Sequence, residues 1–255
     1  MKNDFHAPEA RTLADALLKA RKEGRALAAH ALPATVTKAA EAYRVQALVA
    51  RACGPVGGFK VANKPDAPRI MAPILAPDII PAGARLAVPG DEQIGIELEV
   101  GFRIDAPLPE AGAPDRRAAI AGCLSAVPVI EIVRTRLPMD APPMMKLADN
   151  QINGGLVVGQ AVKDWQGLRL GPVQACLTFG GETVLDGDAA VPGGDAFENF
   201  LVLEEMIGDH CGGLTPGQVV ITGSLNGLPY VRGGMRVEGR IDGLGAVSLD
   251  LDTLA

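Results

Sequence analysis

Between Ile94 and Ile104 the chain reads IGIELEVGFRI, and its character alternates at every residue. Ile94, Ile96, Leu98, Val100 and Phe102 are apolar; Gly95, Glu97, Glu99, Gly101 and Arg103 stand between them. A period of two is the signature of a strand, whose successive side chains point to opposite faces. The apolar face needs a core to cover it, so the chain must build a sheet packed on one side. Glu97 and Glu99 then share the other face, roughly 7 Å apart along the strand. Two carboxylates so placed repel each other: water screens them, a cation bridges them, or one takes up a proton. The plain reading is a solvated sheet face. The functional reading is a hard divalent cation, which favours a few carboxylates with other positions left to water or substrate. Gly95 and Gly101 predict open space on that face.

From Gly57 onward the chain is a series of short apolar segments punctuated by Gly and Pro. Strands are predicted over residues 58–62, 85–88, 94–104, 127–133, 155–159, 175–179, 218–222, 235–241 and 245–251. Helices are predicted over 115–125 and 196–207, the second capped by Asp195. Before Gly57 the texture is helical. Leu13, Leu17 and Leu18 with Ala14 and Ala20 repeat at helical spacing, and Thr35 is a candidate cap for a second helix carrying Tyr43, Leu48 and Val49. Strands outnumber helices without regular alternation, which argues against a parallel βαβ architecture. The expected fold is α+β: a helical segment over residues 1–56 packed on a β-rich core over 57–255 with a mixed, largely antiparallel sheet. With 48% hydrophobic residues the chain can bury a sizeable core, and its 31 glycines and 20 prolines follow no collagen period.

Several function classes lack support. The formal charge is −6, and no cluster of Lys and Arg suits a nucleic acid. No apolar run reaches membrane-spanning length, and the charged start MKNDFHAPEARTLADALL does not read as a signal peptide. The four cysteines, Cys53, Cys123, Cys176 and Cys211, form no zinc pattern and are read as free thiols of a cytoplasmic protein. With three serines, three histidines and no GxSxG, HExxH, P-loop or GxGxxG motif, carboxylates and lysine must carry much of any chemistry.

Two further residues fit such chemistry. Glu131 interrupts the apolar run VPVIEIV, and charged residues are seldom buried without a partner. It is either an exposed glutamate or one paired with Arg134 or Arg136, or it is a third carboxylate on the same ion. Lys60 ends the stretch GPVGGFK. It is either a surface lysine or the cation that balances the acids and holds an anionic substrate.

These segments, in this order, resemble the hydratase/decarboxylase branch of the fumarylacetoacetate hydrolase superfamily. GGFKV (57–61) resembles its Gly-aromatic-Lys strand, GIELEVGF (95–102) its Glu-x-Glu metal motif, and VIEIVRTR (129–136) the strand with its third acidic ligand. ADNQINGGLVVG (148–159) resembles its Asp-Asn segment, and residues 219–251 its final strands and Gly-Ser loop. The resemblance implies the fold of that superfamily's C-terminal domain and a metal-dependent lyase acting on 2-hydroxy or 2-oxo dienoic acids from aromatic meta-cleavage. It implies Glu97, Glu99 and Glu131 as ligands of Mg²⁺ or Mn²⁺, Lys60 as the catalytic lysine, and Asn150, Ser224 and Asp78 as substrate-binding candidates; Arg136 is a further substrate-binding candidate by its charge. It also implies a homo-oligomer or a hydratase–decarboxylase complex. Hydration is the leading expectation and decarboxylation the alternative, which Arg134 and Arg136 would favour by binding a second carboxylate. An acylpyruvate C–C hydrolase, with His30 as helper, and a non-catalytic binding subunit are further readings. After Lys60 the family continues with an aliphatic residue, Gly and a Thr-Ser pair. Here Ala62, Asn63 and Lys64 follow, a departure that bears on the substrate.

Overall fold

The computed structural model describes residues 7–33 and 35–254. Met1–His6, the beginning of the stretch read as lacking a signal peptide, lie outside the described residues, as do Ala34 and Ala255. The chain opens with helices α1 (Ala7–Glu23) and α2 (Ala39–Cys53). Strands β1 (Val56–Ala62), β2 (Ile70–Leu75), β3 (Ile79–Pro81), β4 (Ala84–Pro89) and β5 (Ile94–Ile104) follow. Then come α3 (Arg116–Gly122), β6 (Leu124–Val133), α4 (Pro143–Ala148), β7 (Asn153–Val158), β8 (Pro172–Phe179) and β9 (Glu182–Ala190). The chain finishes with α5 (Ala196–Ile207), β10 (Val219–Ser224), β11 (Tyr230–Val231), β12 (Met235–Ile241) and β13 (Gly245–Leu254).

Among the described residues the strands form two sheets. One runs β2-β1-β10-β5-β6-β7-β3, with β11 added on β5; the other runs β4-β13-β12-β8-β9. Only β1/β10, β3/β7 and β4/β13 pair in parallel, so the α+β fold with a mixed, largely antiparallel sheet is the one observed.

The alternation in β5 decides how the sheets meet. Ile94, Ile96, Leu98, Val100 and Phe102 are all buried in one cluster with Val237 and Ile241 of β12 and Val247, Leu249 and Leu251 of β13. A Cβ added at Gly239 would lie 2.7 Å from Leu98 Cδ1, so β12 lies directly against this face. Phe102 anchors an aromatic group with Trp165, Phe197 and Phe200 at ring separations of 4.8 to 6.0 Å, in the edge-on range. Phe197 and Phe200 come from α5, whose start is fixed as predicted: the Asp195 carboxylate accepts from Phe197 N at 2.8 Å and Glu198 N at 3.2 Å.

The helices α1 and α2 pack with α4 through Leu13, Leu17, Val45, Val49, Met145 and Leu147. The second helix starts later than a Thr35 cap predicts, because Glu41 reaches back to accept from Thr37 N and Lys38 N at 3.0 and 3.2 Å. Four strands, β2, the short β3 and β11, and β9, have no counterpart in the sequence reading. In β2, Pro73 obscures the pattern; a proline fits there because β2 is an edge strand. In β9, another edge strand, the side chains are mostly exposed and no apolar alternation marks it. Among the described residues no helix is long and apolar enough to cross a membrane.

Candidate metal centre and active site

The second face of β5 carries the site. Glu97 lies directly across from Glu131 in the antiparallel β5/β6 register, so the two side chains share a face. Glu99 follows on the same face, opposite Val129 on one side and Ser224 on the other. Carboxylate oxygens of Glu97, Glu99 and Glu131 all lie within 4.8 Å of one another. Glu99 and Glu131 are buried and Glu97 is half-buried, so this is not a solvated sheet face.

Lys60 reaches the same point from β1. It is buried, and its Nζ donates to both carboxylate oxygens of Glu131 at 2.5 and 2.7 Å and to the backbone carbonyl of Gln151 at 3.4 Å. Asn153 Nδ2 donates to Glu131 Oε1 at 2.8 Å. Glu99 Oε2 accepts from Gly223 N at 2.6 Å, at the end of β10. The turn that delivers Gln151 and Asn153 is strained. Asn150, Gln151 and Ile152 have φ of 49°, 52° and 55°, a run of left-handed residues in which the β-branched Ile152 is a marked outlier. Such residues cost roughly 1–2 kcal/mol each, a strain the surrounding packing holds in place beside Lys60 and Glu131.

The electrostatics follow from burial. Removal from water, the charge of Glu131 and a hydrogen bond between the two carboxyls push Glu97 up to about 7. Burial first, then Glu131 and Glu97, push Glu99 well above the ordinary carboxylate range. Burial pulls the Lys60 ammonium down, but Glu131, Glu97 and Glu99 more than offset it, so Lys60 is held above the usual lysine range and stays charged. A converging all-oxygen set of acids that cannot comfortably ionise together is the donor set a hard divalent cation takes.

The other candidates are placed as follows. Ser224 lies beside Glu99 and donates to Gly227 O at 2.6 Å. Asn150 is buried and lines a small cavity with Leu17, Arg21, Val49, Arg136 and Asp149. Asp78 is ion-paired with Arg21 at 2.6 Å. Arg136 is buried against Asp149 at 2.6 Å; four of its five N–H donors go to Asp149 and to the carbonyls of Arg134, Asn153 and Asp149. Asp78 and Arg136 both line a cavity of about 630 Å³ to which neither Lys60 nor any of the three glutamates contributes. Arg134 is paired with Glu92 at 2.5 Å. The structure thus gathers Lys60, Glu97, Glu99 and Glu131, sets Ser224 beside Glu99 by strand register alone, and does not bring Arg136, Asp78 or Asn150 into hydrogen-bond contact with them. Replacing Arg136 with methionine is expected to leave Asp149 Oδ1 and the carbonyls of Arg134, Asn153 and Asp149 without these donors and the buried Asp149 carboxylate without its cation. Thermal denaturation should then show a loss of about 3–5 kcal/mol, as for a broken buried pair, with KM for substrate unchanged.

Asn153 was missed by the sequence reading. Its signal was its place at the start of a strand beside the Glu131 strand, but the left-handed turn before it hid the register. The glycines also differ from expectation: the space over Gly95 is filled by Leu228, whose Cδ1 would sit 2.4 Å from an added Cβ. Over Gly101 lie Val127, Val129 and the Val220 carbonyl.

No family model matches the chain. Two curated proteins, 2-keto-4-pentenoate hydratase of Paraburkholderia xenovorans (strain LB400) and 2-keto-4-pentenoate hydratase 3 of Pseudomonas putida, are each 26% identical over 159 residues. Those residues are 62% of this chain and span 59% of the length of each relative. Among solved structures, 4-oxalocrotonate decarboxylase from Pseudomonas putida G7, complexed with magnesium and adipate, superposes with a TM-score of 0.80 at 19% identity, covering 98% of this chain and 99% of that one. Fumarylpyruvate hydrolase from Pseudomonas aeruginosa, in complex with Mn²⁺ and pyruvate, gives 0.55 at 18% identity over 77% of this chain and 89% of that one. The chain thus shares its fold with these solved structures and, over part of its length, is similar to the two hydratases.

Proposed function

We propose that the chain is a divalent-metal-dependent lyase that hydrates a 2-hydroxy or 2-oxo dienoic acid. The observation that carries this reading is the convergence of Glu97, Glu99 and Glu131 within 4.8 Å, with Lys60 Nζ seated on Glu131. The three glutamates would hold Mg²⁺ or Mn²⁺, which supplies fixed positive charge where an enolate develops. Lys60 is buried and charged, so its Nζ holds a proton ready for transfer between the substrate's enol oxygen and its carbon chain. Glu131 and the Gln151 carbonyl aim that ammonium, and Asn153 fixes Glu131 in turn. Hydration is favoured over decarboxylation because Arg134 and Arg136 are engaged by Glu92 and Asp149, which leaves neither as a free partner for a second substrate carboxylate.

One observation favours decarboxylation as the second reading. The exposed Lys64, part of the departure from the family pattern, lies close enough to lower the Glu97 carboxyl, and it would suit a distal carboxylate. The test is to supply metal-loaded protein with 2-hydroxypenta-2,4-dienoate and, separately, with 2-oxohex-3-enedioate. Loss of dienoate absorbance without CO₂ release supports hydration, CO₂ from the second substrate supports decarboxylation, and turnover of neither overturns both. The homo-oligomer expected from the resemblance belongs to the same reading and is checked by light scattering.

A further inference from the structure

The edge of β5 that faces away from β6 has a gap. Strand β10 pairs with it from Arg103 to Glu99, and β11 pairs with it at Gly95 and Ile94. Neither strand pairs with Ile96, Glu97 or Leu98, the stretch that carries the first glutamate of the cluster. The chain between the two strands fills the gap. Leu225 N donates to Leu98 O at 2.9 Å and Ile96 N donates to Pro229 O at 3.0 Å. The remaining two groups are met by one side chain. Asn226 Oδ1 accepts from Leu98 N at 2.7 Å, and Asn226 Nδ2 donates to Ile96 O at 2.9 Å.

A primary amide is the one side-chain group that offers an acceptor and donors in the arrangement of a peptide unit. Here it replaces a missing strand residue and ties down the backbone on both sides of Glu97. The amide is itself braced: Asn226 N donates to Ser224 Oγ at 3.3 Å, and Ser224 Oγ donates to Gly227 O at 2.6 Å. The chain that closes the gap also carries Leu228 over Gly95, so it covers the carboxylate face next to Glu97.

We propose that Asn226 is a positioning residue of the metal centre, holding Ile96–Leu98 so that the Glu97 carboxylate converges on Glu99 and Glu131. Without it two buried strand groups lose their partners, the segment relaxes and Glu97 drifts from the cluster. The proposal rests on the metal-site reading above. Groups that orient ligands in this way typically change metal affinity by about 10- to 100-fold when removed.

The test is calorimetric titration of Mn²⁺ into metal-free protein for wild type, Asn226→Ala, Glu97→Gln and the double variant, with thermal denaturation of each. Asn226→Ala should weaken Mn²⁺ binding about 10- to 100-fold in a Glu97 background and have little further effect on affinity in the Glu97→Gln background. Asn226→Ser, able to serve one of the two backbone groups, should give a smaller loss and is the variant to read if the alanine protein does not fold. A lowered Tm with unchanged Mn²⁺ affinity, or the same affinity loss in both backgrounds, overturns the positioning role and leaves the metal site standing. Absence of Mn²⁺ binding by wild type overturns the metal-site reading and the proposal with it.

Discussion

Replacing Lys60 with methionine is expected to lower kcat by about 10²–10⁴-fold, the usual weight of a positioned proton-transfer group, while metal binding persists. Lys60 is the cation seated on Glu131, and removing it leaves three clustered carboxyls, two of them buried, without their buried counter-charge. Breaking a buried pair in this way costs about 3–5 kcal/mol, so the metal-free variant should melt well below wild type. Added Mg²⁺ should restore most of that loss, because a cation bound only by the folded state stabilises it by mass action. Differential scanning calorimetry with and without Mg²⁺, beside steady-state kinetics, separates the two effects. A variant that keeps wild-type kcat would remove Lys60 from the chemistry.

The second large effect is a dependence on pH that runs opposite to the common behaviour of carboxylates. Glu97 has an ordinary value of 4.5 when unfolded and about 7 in the folded chain, because burial and Glu131 disfavour its charge. Between those values the folded state binds more protons than the unfolded one. The contribution of Glu97 is therefore fully present below the unfolded value and is lost as pH rises through the folded value. Glu99, pushed in the same direction, adds to the slope. The Tm of metal-free wild type should thus fall from about pH 5 to about pH 8, and the fall should be smaller in Glu97→Gln. Saturating Mg²⁺ should flatten it, since the cation favours the ionised carboxyls. Circular-dichroism melts across that range check this; identical pH profiles for wild type and Glu97→Gln would contradict it.

These effects were legible in the sequence to the degree that they depend on local pattern. Strict alternation over Ile94–Ile104 determines both the buried face and the acidic face, because a strand's period of two leaves no other way to cover Leu98 and Phe102. Asp195 was legible as a cap because capping is a contact over two or three residues. Glu131 stood out because an acid in an apolar strand needs a partner, though its partner, Lys60, is 71 positions away. What pattern could not show is which of several plausible residues the fold brings together. Arg136 has the chemistry to bind a carboxylate, but a turn through α4 returns Asp149 to it and buries the pair. Asn150 and Asn153 differ by three positions, and the left-handed turn at Asn150–Ile152 decides that Asn153 meets Glu131. Asn226 lay within a segment read as a Gly-Ser loop, and its role exists only because β10 and β11 leave a gap against β5. The glycines beside the acids suggested room, and a distant leucine, Leu228, takes it up.

The central claim is that Glu97, Glu99 and Glu131 form one cation site. Its most direct measurement is the electron paramagnetic resonance spectrum of Mn²⁺ titrated into metal-free protein, which distinguishes bound from free ion without reference to turnover. Wild type is expected to bind a single Mn²⁺ per chain, displaced by Mg²⁺, with the site severely weakened in Glu97→Gln and in Glu131→Gln. Mn²⁺ affinity unchanged in both variants would contradict the site.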